Sequence, residues 1–397
     1  MNILDIKNEI IDRLDKQESC FGGVEAALLK VSAEYPGLWL EHIYDSIVYA
    51  RLDNSKLYLA ENAINAFIDL QKDDGQLPYV IRDAKDGDRA GYSQIQECVS
   101  FGSLCLMVYE KNNDREFLKK CYHATERWVC WIKNHRMTRG LGLVEMFFGF
   151  DTGHDNSPRV LDLGAPKNYI VDGKAVNAAA LPPKDEKSPI IALDMSCNYY
   201  GNLRALKKMA DILGYDGKEF ADEARSVKQK IFDICFDKAD RFFYDVDVQG
   251  NKRRILSCQI FHLFIEGVLD KDEDKELISE LCDRYIFNEK HFYTPYPFPA
   301  LSISDEKWKK HSEYNCWGYY TQTLTVLRTT IWMDKYGFEK EHDEICRRFL
   351  SAWTACFDRV KLGQELDPLT GEPSQCSEWY SSGMLTYLYC TERLKLI

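Results

Sequence analysis

Apolar residues recur at helical spacing along almost the whole chain, and this periodicity limits the fold more than any other feature. Over 114–134, Phe117, Cys121, Ala124, Trp128 and Trp131 advance by alternating steps of four and three, which places them on one face of a helix. Asn113, with Glu116 three residues later, reads as the capping pair at its start. Over 190–213, Leu203, Leu206, Ala210 and Leu213 follow the same rule, and Gly214 supplies the stop. Comparable segments at about 2–16, 38–52, 55–71, 94–110, 217–236, 254–266, 271–285, 314–336, 339–358 and 376–393 bring the expected total to about twelve helices. The best strand signal, Phe242 to Val248 followed by Gln249 to Lys252, predicts a short hairpin rather than a large sheet. Helix pairs recur at about 50–60 residues and no Ser/Gly linker divides the chain, so residues 1–397 are expected to form one all-α domain of stacked helical hairpins.

Composition narrows the function. Hydrophobic residues make up 45% and aromatics 13%, enough for a large core and far from a disordered composition. The formal charge of −12, without Lys/Arg runs, offers no surface for tracking phosphates and argues against a nucleic-acid partner. No stretch approaches 18 uninterrupted apolar residues, and the N-terminal segment is charged from Asp5 onward, so neither a membrane span nor a signal peptide is expected and the chain reads as cytoplasmic. The 14 cysteines lack any CxxC pairing and read as reduced, mostly buried thiols. The eight histidines are dispersed with no HExxH, no Gly-rich phosphate loop follows a strand, and no GxSxG elbow occurs, so neither metal nor cofactor is expected.

What remains is a supply of carboxylates and aromatics in loops, which suits carbohydrate sites, where ring faces stack on sugars and polar groups meet hydroxyls. Two long stretches, 151–189 and 286–313, lack periodicity and are expected to be ordered loops over a site. Two segments stand out. Gly149 to Arg159 places DTGHDNSPR after a largely apolar run, and Lys361 to Pro373 brackets carboxylates with Gly and Pro ahead of Ser377-Glu378-Trp379-Tyr380. Taken alone, the first also fits a capped turn with an Asp–Arg pair and the second a solvated loop.

In order along the chain stand His42-Ile43-Tyr44-Asp45-Ser46, Asp74-Gly75-Gln76-Leu77-Pro78, Gln96-Glu97-Cys98, Asp155-Asn156-Ser157-Pro158-Arg159, Tyr314-Asn315-Cys316-Trp317-Gly318-Tyr319-Tyr320 and Gln364-Glu365-Leu366-Asp367-Pro368-Leu369-Thr370-Gly371. This series resembles the motifs of the inverting glycoside hydrolases of family 63 and the related family 37 trehalases, over about residues 38–393. The resemblance implies an (α/α)6 barrel with Asp155 as general acid and a late-loop glutamate as general base. Tyr44 stands where those families carry Trp, Glu97-Cys98 replaces Pro-Pro, and strict spacing back from Gly371 puts Gln364 at the base position. Glu365, one residue later, is the nearest carboxylate and is assigned the base. Tyr44, Asp45, Gln96, Arg159, Trp317 and Trp379 are the expected substrate-binding residues.

The implied reaction is hydrolysis with inversion of a short, soluble α-glucoside or α-mannoside, such as a disaccharide or a glycosyl-glycerate. Two carboxyls would flank the scissile bond at a separation of roughly 6.5–9.5 Å. Asp155 must hold its proton, so Arg159 is expected to pair with another carboxylate, such as Asp45. One alternative is a sugar epimerase of the N-acylglucosamine 2-epimerase type using His154, His291 or His311 as acid and base. A sugar-binding protein that has lost catalysis is the other, suggested by Gln364.

Overall fold

The computed structural model describes residues 2–83, 89–155, 157–162, 170–172, 174–180, 188–310, 316–374 and 377–396. Its helices alternate between two kinds. Ile43–Leu52, Phe101–Asn112, Leu193–Leu213, His262–Ile265, Thr323–Trp332 and Ser381–Arg393 are buried on nearly every side; in Ile43–Leu52, eight of ten residues are buried. Each packs against the next in this order, and Ser381–Arg393 packs back on Ile43–Leu52, closing a ring. Ile3–Gln17, Leu57–Asp69, Arg115–Arg136, Lys218–Lys230 and Glu339–Cys356 lie outside, each burying one stripe, as an amphipathic helix must. Lys275–Leu281, with Ile278 and Leu281 buried, takes the remaining outer position in chain order. This is an (α/α)6 barrel, as the periodicity and the motif series predict.

Local chemistry sets the ends of these helices. Asp114, not Asn113, caps Arg115–Arg136, because its carboxylate accepts from the amides of Glu116 and Phe117. Asn113 instead ends the preceding helix in the left-handed region at φ 54°. Gly214 closes Leu193–Leu213 at φ 79°, with its N–H bonded to the Ala210 carbonyl, as expected. Asp245–Val246 pairs with Lys252–Arg253 as a hairpin, and through Ile190–Ile191 and Glu145–Met146 it joins a small four-stranded sheet. Of the cysteines whose side chains are described, none is in a disulfide and all except Cys20 and Cys130 are buried.

Buried carboxyls tie the inner helices together. Asp45 accepts from the hydroxyls of Ser381 and Ser382, joining the first inner helix to the last. Glu266 accepts from the Ser100 amide at 2.8 Å and its hydroxyl at 2.7 Å, joining the second to the fourth. Gly201 leaves room for this contact, since a Cβ there would lie 1.8 Å from Glu266 Oε2. Burial raises the Glu266 pKa to about 8, against the lowering by the Ser100 hydrogen bonds. A group held above its unfolded value of about 4.3 contributes stability below that value and loses it as pH rises through the folded value. The melting temperature of the wild type is therefore expected to fall between about pH 4.5 and 8, and Glu266→Gln to flatten that slope. Thermal melts across this range check it; equal slopes in both proteins would refute it.

Candidate active site

Connections from an inner helix to its outer partner are short, whereas the returns, 18–42, 70–100, 137–192, 231–261, 282–322 and 357–380, are long. Because the inner helices run in one direction, these returns gather at their N-terminal end. A cavity of about 230 Å³ lies there, lined by Val31, Tyr35, Trp39, Glu41 and His42 from the first return, Gln96 from the second and Phe150, Gly153 and Asp155 from the third. Trp317, Gln364 and Tyr380, with Leu324 of an inner helix, complete the wall. A more open depression of about 620 Å³ lies elsewhere, between Tyr293, Tyr296, Glu344 and Arg347, and shares none of these residues. The mouth cavity holds the aromatic walls and paired carboxyls that sugar chemistry requires, and is the candidate site.

The turns between the strand Glu145–Met146 and Asp155 are held in place by buried groups. Arg136 and Asp151, both fully buried, form a two-pronged pair at 2.7 and 3.0 Å, and Asp151 also accepts from the amides of Phe147 and Phe148. The Asp151 carbonyl accepts from the Gln96 amide at 2.9 Å, pinning the second return to the third. Gln96 sits at φ 48°, and its Nε2 reaches Asp155 Oδ1 at 3.4 Å. Gly153, at φ 84°, brings the chain against Glu41 and Cys98: a Cβ there would meet Cys98 Sγ at 2.8 Å and Glu41 Oε2 at 3.0 Å.

Glu41 Oε2 accepts from Arg328 Nη2 at 3.2 Å and lies 3.3 Å from Cys98 Sγ. Burial raises its pKa, with the Arg328 charge and the Cys98 and Arg328 hydrogen bonds opposing. His42 Nε2 is 2.6 Å from the Tyr380 hydroxyl, and its Nδ1, buried without a hydrogen bond, is 3.7 Å from Glu41 Oε1. Burial, helped by Arg328, lowers the His42 pKa to about 3, so the imidazole is neutral.

Of the residues expected from the sequence, Asp155, Gln96 and Trp317 meet in this cavity. Tyr44, Asp45, Arg159, Glu365 and Trp379 are not among its lining residues. The Tyr44 hydroxyl is bonded to Thr330 Oγ1 at 2.5 Å and to Arg51 at 2.9 Å, away from the mouth. Asp45 serves the ring closure. Trp379 meets Phe357 edge-on and lies under Arg13, and the adjacent Tyr380 takes the cavity wall. Glu365 lies in the strand Glu365–Leu366 opposite Gln322, whose Nε2 donates to it at 3.1 Å, while Gln364 faces the cavity. Asp367 caps the turn that follows, accepting from the amides of Leu369 and Thr370. The guanidinium of Arg159 is bidentate to both Asp194, at 2.5 and 2.7 Å, and Asp245, at 2.7 and 2.9 Å; its partners are thus carboxylates other than Asp45. Asn156, His311, Tyr314 and Asn315 lie outside the described residues.

Glu41, Tyr35 and Trp39 escaped the sequence reading, and His42 and Tyr380, though within the segments it singled out, were not assigned to the site. The signal available was the run Trp39-Leu40-Glu41-His42 directly ahead of the Tyr44-Asp45-Ser46 motif, and Tyr380 beside Trp379. His154, Asp194 and His262 cluster closely enough to be considered as metal ligands. Asp194, the one carboxylate among them, is already clamped by Arg159, so this donor set does not suit a cation. Between His154 and His262 the void is only about 10 Å³, and the Trp317 ring centre lies 4.3 Å from that of His154.

The family model of the mannosylglycerate hydrolase MGH1-like glycoside hydrolase domain matches residues 42–382. The chain belongs to this family. It is therefore a glycoside hydrolase domain. Its fold is similar to that of the GH63 mannosylglycerate hydrolase from Thermus thermophilus in complex with glucose, at 16% identity and a TM-score of 0.74 over 97% of this chain and 99% of that one. The same hydrolase in complex with Tris and D-glycerate gives 15% identity and a TM-score of 0.75, covering 97% and 100%. Neutral trehalase from Saccharomyces cerevisiae gives 12% and 0.68, covering 93% and 73%. An uncharacterized protein of Borreliella burgdorferi is 24% identical over 278 residues, 68% of this chain, and the match spans half the length of that relative. Among the described residues, no helix is long and apolar enough to cross a membrane.

Proposed function

We propose that this MGH1-like domain hydrolyses a short α-mannoside or α-glucoside with inversion, its substrates being glycosyl-glycerates or disaccharides. The observation that carries this reading is the convergence of Asp155, Gln96 and Trp317 in one small cavity at the barrel mouth. At about 230 Å³ it is smaller than the roughly 300–1,000 Å³ of sites for drug-sized ligands, which favours one sugar ring with a small aglycone over a polysaccharide. Asp155 acts as general acid, protonating the leaving oxygen. Gln96 offers its amide to a sugar hydroxyl and helps orient Asp155, and Trp317 gives a face for the ring. The D-glycerate in the Thermus relative's structure makes glycosyl-glycerates the first compounds to try.

An epimerase using histidines finds less support. His154 and His262 enclose space for about one water, and His291 is bonded to Ser302 and Ser304. A screen of α-mannosyl- and α-glucosyl-glycerates and α-linked disaccharides, followed by NMR, is expected to show free sugar appearing first as the β-anomer. Release of the α-anomer first, or no turnover across the set, would overturn the reading.

A further inference from the structure

We infer that Glu41 is the general base of this site. The inference rests on the inverting reading above and supplies the group that the late loop lacks. Gln364 faces the cavity where the motif spacing places a glutamate, and a carboxamide cannot take a proton from water at neutral pH. Glu365 opens the strand Glu365–Leu366, where it receives the Gln322 amide, and it is not among the residues that line the cavity. Among the described residues that line the cavity, two are carboxylic acids: Asp155 and Glu41.

The surroundings of Glu41 fit a base. Arg328 holds Oε2 and favours the ionised form, while burial strengthens the carboxylate's pull on a proton. The neutral His42 ring, fixed through Nε2 by the Tyr380 hydroxyl, aims its otherwise unbonded Nδ1 at Oε1 from 3.7 Å, close enough to steer the carboxylate or share a water with it. The absence of a side chain at Gly153 lets the Asp155 loop approach Glu41, which brings acid and base to one cavity from two different returns.

The step balances within the site. As the water oxygen bonds to the anomeric carbon, Glu41 takes one of its protons. The glycosidic C–O bond breaks with its electron pair on the leaving oxygen, and Asp155 gives that oxygen its proton. Glu41 ends protonated and Asp155 ionised, and exchange with solvent restores both.

The test uses wild type, E41Q, E41A and E365Q on the best substrate of the screen and on the α-glycosyl fluoride of the same sugar. E41Q, which keeps a polar group against Arg328, is expected to lose a hundredfold or more of kcat on both substrates. E365Q is expected to stay within about threefold of wild type, in keeping with the modest worth of the hydrogen bond it receives from Gln322. Azide is expected to restore E41A turnover by attacking the anomeric carbon itself, giving a glycosyl azide of inverted configuration; a purely structural loss would gain nothing from it. The proposal falls if E41Q, with a wild-type melting temperature, keeps its activity on the fluoride, or if E365Q carries the loss instead. Inversion by the wild type tests the functional reading separately: if that holds while E41Q remains active, only the assignment of Glu41 is lost.

Discussion

Asp155→Asn is expected to lose a hundredfold or more of kcat on a natural glycoside while keeping most of its activity on the corresponding glycosyl fluoride. Expelling an alkoxide from a sugar needs a proton in the transition state, and an asparagine amide is far too weak an acid to supply it. Fluoride leaves without that proton, so the same variant still has the water, its base and the cavity walls. The contrast between the two substrates is therefore more informative than either rate. Asp155→Asn should also preserve the fold, because its neighbour Gln96 can turn its amide to suit an asparagine; a melting temperature near wild type checks this. Equal losses on both substrates would mean that Asp155 shapes the cavity or serves as base, and full activity on the glycoside would remove it from the reaction.

The outer helices were legible in the sequence because one face of each meets water, so Phe117, Cys121, Ala124, Trp128 and Trp131 stand out against Lys, Glu and Arg. The inner helices were legible as segments but not at their starts. The periodicity begins at about 38, 94, 254, 314 and 376, whereas the helices begin at Ile43, Phe101, His262, Thr323 and Ser381. In each case the excess is the end of a long return packed at the barrel mouth: Trp39, Trp317 and Tyr380 line the cavity ahead of Ile43, Thr323 and Ser381, while Val99 and Phe261 are buried ahead of Phe101 and His262. A buried loop and a helix buried all round have the same hydropathy, so pattern cannot separate them.

The same ambiguity explains the near misses at the site. Motif spacing located the third return well enough to find Asp155, because a turn of Gly, Pro and Asp residues marks it. It could not decide between Trp379 and Tyr380, or between Gln364 and Glu365, because neighbouring side chains leave the chain in different directions and the local backbone sets which one meets the cavity: Trp379 sits in the left-handed region at φ 55°, and Gln364 lies at a bend ahead of the strand Glu365–Leu366. Glu41 was missed for a related reason: it lies in the 3-10 turn Leu40–His42, where the periodicity predicts a helix running unbroken from 38.

Arg159→Met should produce the largest loss of stability of any single change considered. Its guanidinium is the shared partner of two carboxylates, Asp194 and Asp245, and all three groups are buried. Burial alone would raise the Asp194 pKa, but the Arg159 charge and hydrogen bonds outweigh it and hold Asp194 below the usual carboxylate range. Removing the arginine leaves two negative charges facing one another with backbone amides but no counter-charge, and breaking a buried pair in this way costs about 3–5 kcal/mol. Because Asp194 is held low in the folded wild type, its contribution is present above the unfolded value of about 3.9 and is lost as pH falls through that range. In Arg159→Met that dependence should reverse: folding should become easier as acid protonates the stranded carboxyls, so urea midpoints for wild type and variant should converge from pH 7 toward pH 4. Adding Asp194→Asn and Asp245→Asn to Arg159→Met should recover part of the loss at pH 7, since a neutral amide is cheaper to bury than an unpaired carboxylate. A variant as stable as wild type at pH 7, or a gap that widens in acid, would show that the cluster does not hold the third return against the inner helix Leu193–Leu213 and the strand Asp245–Val246.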